Sequence, residues 1–244
     1  MDSISTLAAG GMQVRMQSLE MLANNLANVE TGGYKADREQ FSLYIAPDSA
    51  TDPSTGDSLV LPLIERHWTD SSQGILRDTA NPLDLAIDGA GLFAIQTPQG
   101  IRYTRNGNFR LNSKGLLAAT DGNAVLARNG SPIQLRPELP VEVDGDGSVQ
   151  QGGETVAQIE LIQFEAGALE KQGSNYFNPV SQAQPKVAAG KIAQGKVEQS
   201  NVGAAESSVR LVAIMRQFEM LQKAMNIGNE LNRKAIEEVA RVAA

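Results

Sequence analysis

The stretch from Asn201 to Ala244 constrains the fold more than any other part of the chain. It contains no Pro, and its only glycines are Gly203 and Gly228. With Asn201 as the N-cap, it predicts one helix of about 60 Å, given a rise of roughly 1.5 Å per residue. Its apolar residues recur at steps of three and four, with polar interruptions, along one helix face: Val202, Ala205, Val209, Val212, Met215, Phe218, Leu221, Met225, Ile236 and Val239. A small domain core cannot cover so long a stripe, so the stripe needs a second helix.

The N-terminal segment supplies that second helix. Asp2 or Ser3 can cap a helix that runs to about Val29, and Gly32 and Gly33 end it. Its stripe consists of Ile4, Leu7, Met12, Leu19, Leu22, Leu26 and Val29. We expect residues 1–30 and 201–244 to pack together as one coiled-coil-like domain, antiparallel or crossed. The alternative is that each helix packs separately on the remainder of the chain.

Between the helices the hydrophobic period changes to two, as in Leu83, Leu85 and Ile87, and Asp-Gly and Asn-Gly turn dipeptides recur. This predicts a central all-β, hairpin-rich domain over 75–185 and a return segment over 186–200 that holds a strand near 192–197. Residues 31–74 are predicted to form an extended, irregular linker or arm, with loop composition over 47–58. Trp68 in this arm is expected to be a packing anchor rather than a ligand platform. The predicted fold class is therefore α+β.

Composition and charge exclude several classes of function. The chain has no Cys and one His, so thiol catalysis, Cys-ligated metals and His-based metal sites are disfavoured. Its net charge is −7, concentrated in the middle, which disfavours binding to nucleic acid or anionic membranes. No apolar run approaches the roughly 18 residues of a membrane span, and the N-terminus lacks the features of a Sec-type signal.

The candidate catalytic and metal-binding motifs depart from the patterns that catalysis or metal binding requires. Asp144 and Asp146 resemble the start of a Ca²⁺ loop, but Ser148 and Val149 stand where an acid or amide and a glycine are needed. Carboxylates such as Asp84 are better explained as the solvated face of a half-buried strand. We therefore predict no enzyme activity, no cofactor, no metal and no small-molecule substrate.

Three asparagines in the helical segment 24–28 oppose helix propensity, and a hydrogen-bonded interface would explain them better than an exposed, weak helix end. Together with Thr31-Gly32-Gly33-Tyr34-Lys35, this segment closely resembles the signature of the bacterial flagellar rod and hook proteins. Three further blocks resemble the same family in the same order: residues 81–93, 103–109 and 194–202. Gly203 departs from the family pattern, in which Asn or Asp is frequent.

The resemblance implies a structural protein that assembles helically into the axial rod or hook of the flagellum. It implies export through the flagellar type III apparatus without a cleaved signal, terminal helices that form the inner tube wall, and a β domain outside them. The location implied is the periplasm-spanning basal-body rod. The chain length and residues 215–220 look most like the proximal rod protein. The implied partners are copies of the chain and other proximal and distal rod proteins.

We predict that assembly orders the two termini and that nine residues form the interface. They are Leu22, Asn24, Asn25, Leu26, Asn28, Val209, Met215, Phe218 and Met225. Two alternatives remain. One is a distal rod or hook-type axial protein of the same family. The other is a secreted β-domain binding module, which would use loops at 45–75 and 97–150.

Overall fold

The structure is a computed structural model that describes residues 3–45, 60–173, 175–181 and 183–242. It begins with helix α1 (Ser3–Ala27) and ends with helix α2 (Ala204–Val242). The strands between them are β1 (Asp37–Ile45), β2 (Val60–Thr69), β3 (Leu76–Asp78), β4 (Leu85–Asp88), β5 (Phe93–Thr97), β6 (Gly100–Thr104), β7 (Phe109–Leu111), β8 (Leu117–Ala119), β9 (Ala124–Val125), β10 (Val141–Val143), β11 (Ser148–Gln151), β12 (Glu154–Gln158), β13 (Ile162–Gln163), β14 (Leu169–Gln172), β15 (Tyr176–Pro179), β16 (Lys186–Val187), β17 (Lys191–Gln194) and β18 (Lys196–Glu198). The predicted α+β class is confirmed.

The chain divides into two compact units. The helical unit comprises Met1–Ala27, Asp37–Asp70 and Gly203–Ala244. The β unit comprises Asn28–Ala36 and Ser71–Val202. The chain therefore passes from one unit to the other four times, after Ala27, Ala36, Asp70 and Val202.

In the helical unit, α1 packs against α2 rather than each helix packing separately. The pair is antiparallel, because Gly11 lies against Leu221 while Ser18 and Arg210 share a hydrogen-bond partner. The shielded positions of α2 alternate steps of four and three, as a helix–helix seam requires. This row consists of Ser207, Leu211, Ile214, Phe218, Leu221, Met225, Gly228 and Asn232, and the adjacent Arg210, Gln217 and Ala224 are also half-buried.

The predicted irregular arm differs from the structure. Strands β1 and β2 form an antiparallel ribbon with a bulge after Gln40, and the ribbon packs against α1. Its charged residues obscure the alternation in the sequence, since the charged side chain of Glu39 points inward. Trp68 lies opposite Arg38 and remains 42% exposed, more than the predicted packing anchor would be. The loop predicted over 47–58 lies outside the described residues.

The β unit is built from antiparallel pairs, as predicted. Its largest sheet has seven strands in the order β14-β15-β6-β5-β9-β8-β7, and β10-β11-β12 form a second sheet. The core of this unit is mainly aliphatic and includes Leu85, Ile87, Phe93, Ile95, Phe109, Leu117, Val125, Ile133, Leu135, Val149, Ile159 and Ile192. The predicted return strand is present as β17 and β18, which are separated by Gly195 with a φ of 73°. Neither described helix is long and apolar enough to cross a membrane.

Candidate functional site

Three charged side chains meet inside the β unit. The carboxylate of Glu198 lies 2.6 Å from Lys35 Nζ through Oε1 and 2.5 Å from Arg105 Nε through Oε2. All three residues are buried, and Glu198 is only 2% exposed. We call Lys35, Arg105 and Glu198 the triad. Because two cations share one anion, the triad carries one excess positive charge away from water.

Backbone carbonyl groups compensate that excess. The Arg105 guanidinium donates to the carbonyl oxygens of Ile87, Gly89 and Gly91 at 2.9, 2.6 and 2.6 Å. Arg105 thus uses its planar fork, which a lysine could not reproduce. Partners on several sides are what a buried guanidinium requires, since desolvation is costly unless its donors are satisfied.

The remaining groups of the triad bind the segment that follows the ribbon. Lys35 Nζ donates to the carbonyl of Ser72 at 2.6 Å, and the Gly74 N–H donates to Glu198 Oε1 at 2.8 Å. The triad therefore joins segments that are far apart in the sequence.

Gly33 brings Lys35 to the triad. Its φ is 65°, in the left-handed region, and its N–H donates to the Glu198 carbonyl at 2.7 Å. A Cβ at this position would lie 2.6 Å from the carbonyl oxygen of Arg105. Only glycine fits both the conformation and the close approach.

Asn201 holds the neighbouring backbone. Its Oδ1 accepts the Ala36 N–H at 2.7 Å, and its Nδ2 donates to the Ser72 hydroxyl at 3.0 Å. Its own N–H donates to the Tyr34 carbonyl at 3.3 Å. The prediction that Asn201 is the N-cap is wrong, because its side chain is engaged here and α2 begins at Ala204. We call residues 33–36, 72–74, 105 and 198–201 the junction.

The nine predicted interface residues divide into three groups. Leu22 and Asn25 are buried. Leu26, Asn28, Phe218 and Met225 are half-buried; the last two lie on the shielded face of α2, and Asn28 accepts the Thr31 N–H at 3.1 Å. Asn24, Val209 and Met215 are exposed.

Glu39 was not singled out by the sequence analysis, yet its side chain is fully buried in the helical unit. It accepts hydrogen bonds from Ser18 Oγ of α1 at 3.0 Å and from Arg210 of α2 at 3.2 Å. One carboxylate on β1 thus binds both helices. A single charge within a polar stretch gives no sequence signal of such burial.

A second apolar face runs along α2, about opposite the shielded face. It consists of Val209, Met220, Ile227 and Leu231, which are 72%, 61%, 58% and 56% exposed. Their spacings of eleven, seven and four residues place them on one side of an α-helix. We call these four residues the outer stripe. Apolar residues in such a row are typical of an interaction surface.

Most of the junction and most of both helices lie in segments that match known families. Residues 7–35 match the flagella basal body rod protein family, and residues 86–151 match the flagellar hook protein FlgE/F/G D1 domain. Residues 193–238 match the C-terminal region of the flagellar basal body rod FlgEFG proteins. The flagellar basal-body rod protein FlgF of Caulobacter vibrioides is 33% identical over 99% of this chain and 100% of its own.

The chain belongs to the flagellar basal-body rod protein family. The FlgG rod protein of Caulobacter vibrioides is 31% identical over 92% of this chain and 94% of its own. The FlgF rod protein of Mesorhizobium japonicum is 34% identical over 82% of this chain and 83% of its own. This rod protein is therefore similar to both FlgF and FlgG along most of its length. Each member of the triad lies in a different one of the three matched segments.

Proposed function

We propose that this protein is a structural subunit of the flagellar basal-body rod and assembles helically through its terminal helices. In this role it forms part of a shaft that transmits torque and part of the wall of the export channel. The outer stripe is the observation that carries the proposal. One face of α2 is already covered within the chain, and a second apolar face remains exposed along the same helix.

The size of the outer stripe argues for several neighbours. Full burial of a side chain such as Ile or Met stabilises by roughly 1.5–3 kcal/mol, so four of them contribute about 6–12 kcal/mol at most. Association costs an estimated 4–15 kcal/mol in lost freedom of movement. One helix contact is therefore near break-even, and a stable assembly needs each subunit to touch more than one neighbour.

The proposed partners are copies of this chain and other rod proteins, packed side by side in a coiled-coil-like manner. The alternating four-three spacing on the shielded face of α2 supports such packing between α1 and α2. Of the predicted interface residues, Val209 and Met215 are exposed and suited to direct contact. Leu22 and Asn25 act by holding the helical unit together.

Within the rod we propose the proximal segment, with export through the flagellar type III apparatus and no cleaved signal. The match to FlgF of Caulobacter vibrioides over all of that protein supports a rod subunit of this size. The proposed location is the part of the rod that spans the periplasm. Imaging of a tagged subunit in isolated basal bodies tests the position.

Substitution of the outer stripe tests the assembly. In a strain that lacks the gene, Ile227→Asp and Val209→Asp are expected to abolish swimming, although the purified variants keep wild-type helix content. The control is Val187→Asp, since Val187 is 65% exposed in the β unit and lies outside the stripe. We expect this control to swim. Normal swimming by both stripe variants at wild-type protein levels would contradict the proposal.

A further inference from the structure

We infer that the triad locks the segments that connect the two units into one fixed arrangement, and that rod assembly requires this arrangement. Lys35, Arg105 and Glu198 are thus positioning residues for the assembly, and this part of the inference rests on the proposed function. None of them belongs to the outer stripe.

The triad lies beside segments that lead into or out of three of the four passages between the units. Residues around three of the four passages between the units are hydrogen-bonded to one another at the junction, inside the β unit. Segment 33–36 lies just before the second passage, segment 72–74 just after the third, and segment 198–201 just before the fourth. Glu198 belongs to the third segment and contacts the other two, through its backbone carbonyl at Gly33 and through its side chain at Lys35 and Gly74.

Two of the bonded segments run in the same direction. The Gly33 N–H donates to the Glu198 carbonyl, the Asn201 N–H donates to the Tyr34 carbonyl, and the Ala36 N–H donates to the Asn201 side chain, so the segments run parallel as they approach their passages. Short parallel segments held by a few backbone bonds are weak alone. The charges of the triad supply the bonds that hold them together.

A buried charge has a physical cost. A triad with an excess cation is poor at adding stability, since an apolar cluster of the same volume often does as well. Removal of Glu198, however, leaves two cations in the interior without their anion. Such a site tolerates one arrangement of its segments and strongly penalises others, which is the property a positioning device needs.

The triad brings together residues that are distant in the sequence. The triad draws one residue from each of three matched family segments. Its members are separated by 163 residues between Lys35 and Glu198 and by 93 between Arg105 and Glu198. The site exists only when all three segments are folded together.

The test compares Glu198→Gln with Lys196→Met in the full chain. Glutamine keeps the volume, but its amide group presents N–H to one of the two cations. The control breaks an exposed ion pair two residues away on the same strand, where Lys196 Nζ lies 3.1 Å from Asp78. Hydrogen exchange is followed at the N–H groups of Gly33, Ala36 and Asn201, and at Leu117 and Leu126, which donate within the core. Swimming is scored in the strain that lacks the gene.

We expect Glu198→Gln to exchange at least about 100-fold faster at the three junction amides, with the core amides unchanged and swimming lost. Lys196→Met is expected to match wild type in both measurements. Unchanged exchange at the junction would overturn the locking role. Faster exchange with normal swimming at equal protein levels would overturn the requirement for assembly.

If Glu198→Gln does not fold, Lys35→Met replaces it, because this variant keeps the pair between Arg105 and Glu198 but removes the ammonium group that binds Glu198 and Ser72. The same outcomes then apply. Restoration of swimming by the wild-type gene is scored first and tests the proposed function. The exchange measurement on the purified chain does not depend on that function. Failure of the locking role is therefore distinguishable from failure of the proposed function.

Discussion

The side-chain amide of Asn25 pairs with the backbone of Asp37 in both directions. Its Nδ2 donates to the Asp37 carbonyl at 2.8 Å, and the Asp37 N–H donates to its Oδ1 at 2.9 Å. One asparagine side chain therefore bonds both backbone groups of the first residue of β1, which is also paired with Thr69 of β2. This explains why an asparagine is retained near the end of α1 against helix propensity.

Asn25→Ala leaves both backbone groups of Asp37 without this partner. We expect the helical unit to lose about 1–3 kcal/mol of stability, with faster exchange of the Asp37 N–H. Hydrogen exchange measured by NMR checks this result. The control is Gln17→Ala, at an exposed position of the same helix, which should change stability by no more than about 0.5 kcal/mol. Equal effects of the two substitutions would contradict this role of Asn25.

Gly33→Ala should be far more damaging than Gly122→Ala. Both glycines have positive φ, but a Cβ at Gly122 meets nothing within 4 Å, whereas one at Gly33 strikes the backbone of Arg105 and Asn106. Gly122→Ala is expected to cost about 1–2 kcal/mol through its conformation alone. Gly33→Ala is expected to cost at least about 2 kcal/mol more, because the added methyl group overlaps the backbone of Arg105 and Asn106. Denaturant unfolding measures the difference, and similar losses would show that Gly33 is not confined.

Tyr176 should make stability fall at alkaline pH. Burial raises the pKa of its phenol well above the ordinary value of 10.0, and a 2.8 Å hydrogen bond to Asp121 raises it further. The folded protein therefore holds this proton more tightly than the unfolded chain does. The contribution of Tyr176 to stability is fully present below about pH 10. It decreases as the pH rises above the pKa that this phenol has in the unfolded chain.

Tyr176→Phe is expected to flatten this part of the pH profile. At neutral pH it loses one hydrogen bond, at a cost of about 0.5–1.5 kcal/mol. The measurement is the free energy of unfolding between pH 8 and pH 11, in steps, for both proteins. Parallel profiles for wild type and variant would exclude Tyr176 as the source of the alkaline loss.

The long elements could be predicted from the sequence because each repeats one signal many times. Helix α2 shows its period over many turns, and the turn dipeptides mark the hairpins of the β unit. The sequence does not indicate the ribbon, because a polar pattern predicts side chains exposed to solvent, whereas the side chain of Glu39 points inward. Its burial depends on Ser18 and Arg210, which reach it only after the helices have paired.

The triad shows a different limit of sequence reasoning. The motifs that hold Lys35, Arg105 and Glu198 could each be recognised, but no local pattern says that their charged residues meet. Asn201 illustrates the same point, since its type and position predict a helix cap. Its side chain instead binds Ala36 and Ser72, because tertiary partners compete with the local one.

The central claim, assembly through the outer stripe of α2, is tested most directly by a single introduced thiol. The chain has no Cys, so Ile227→Cys carries the only thiol of this protein. Its labelling by a maleimide is measured in the purified monomer and in intact basal bodies, with Val187→Cys as the control for access. We predict that residue 227 is labelled in the monomer and protected in the basal body, while residue 187 is labelled in both. Equal labelling of residue 227 in the two states would contradict the account.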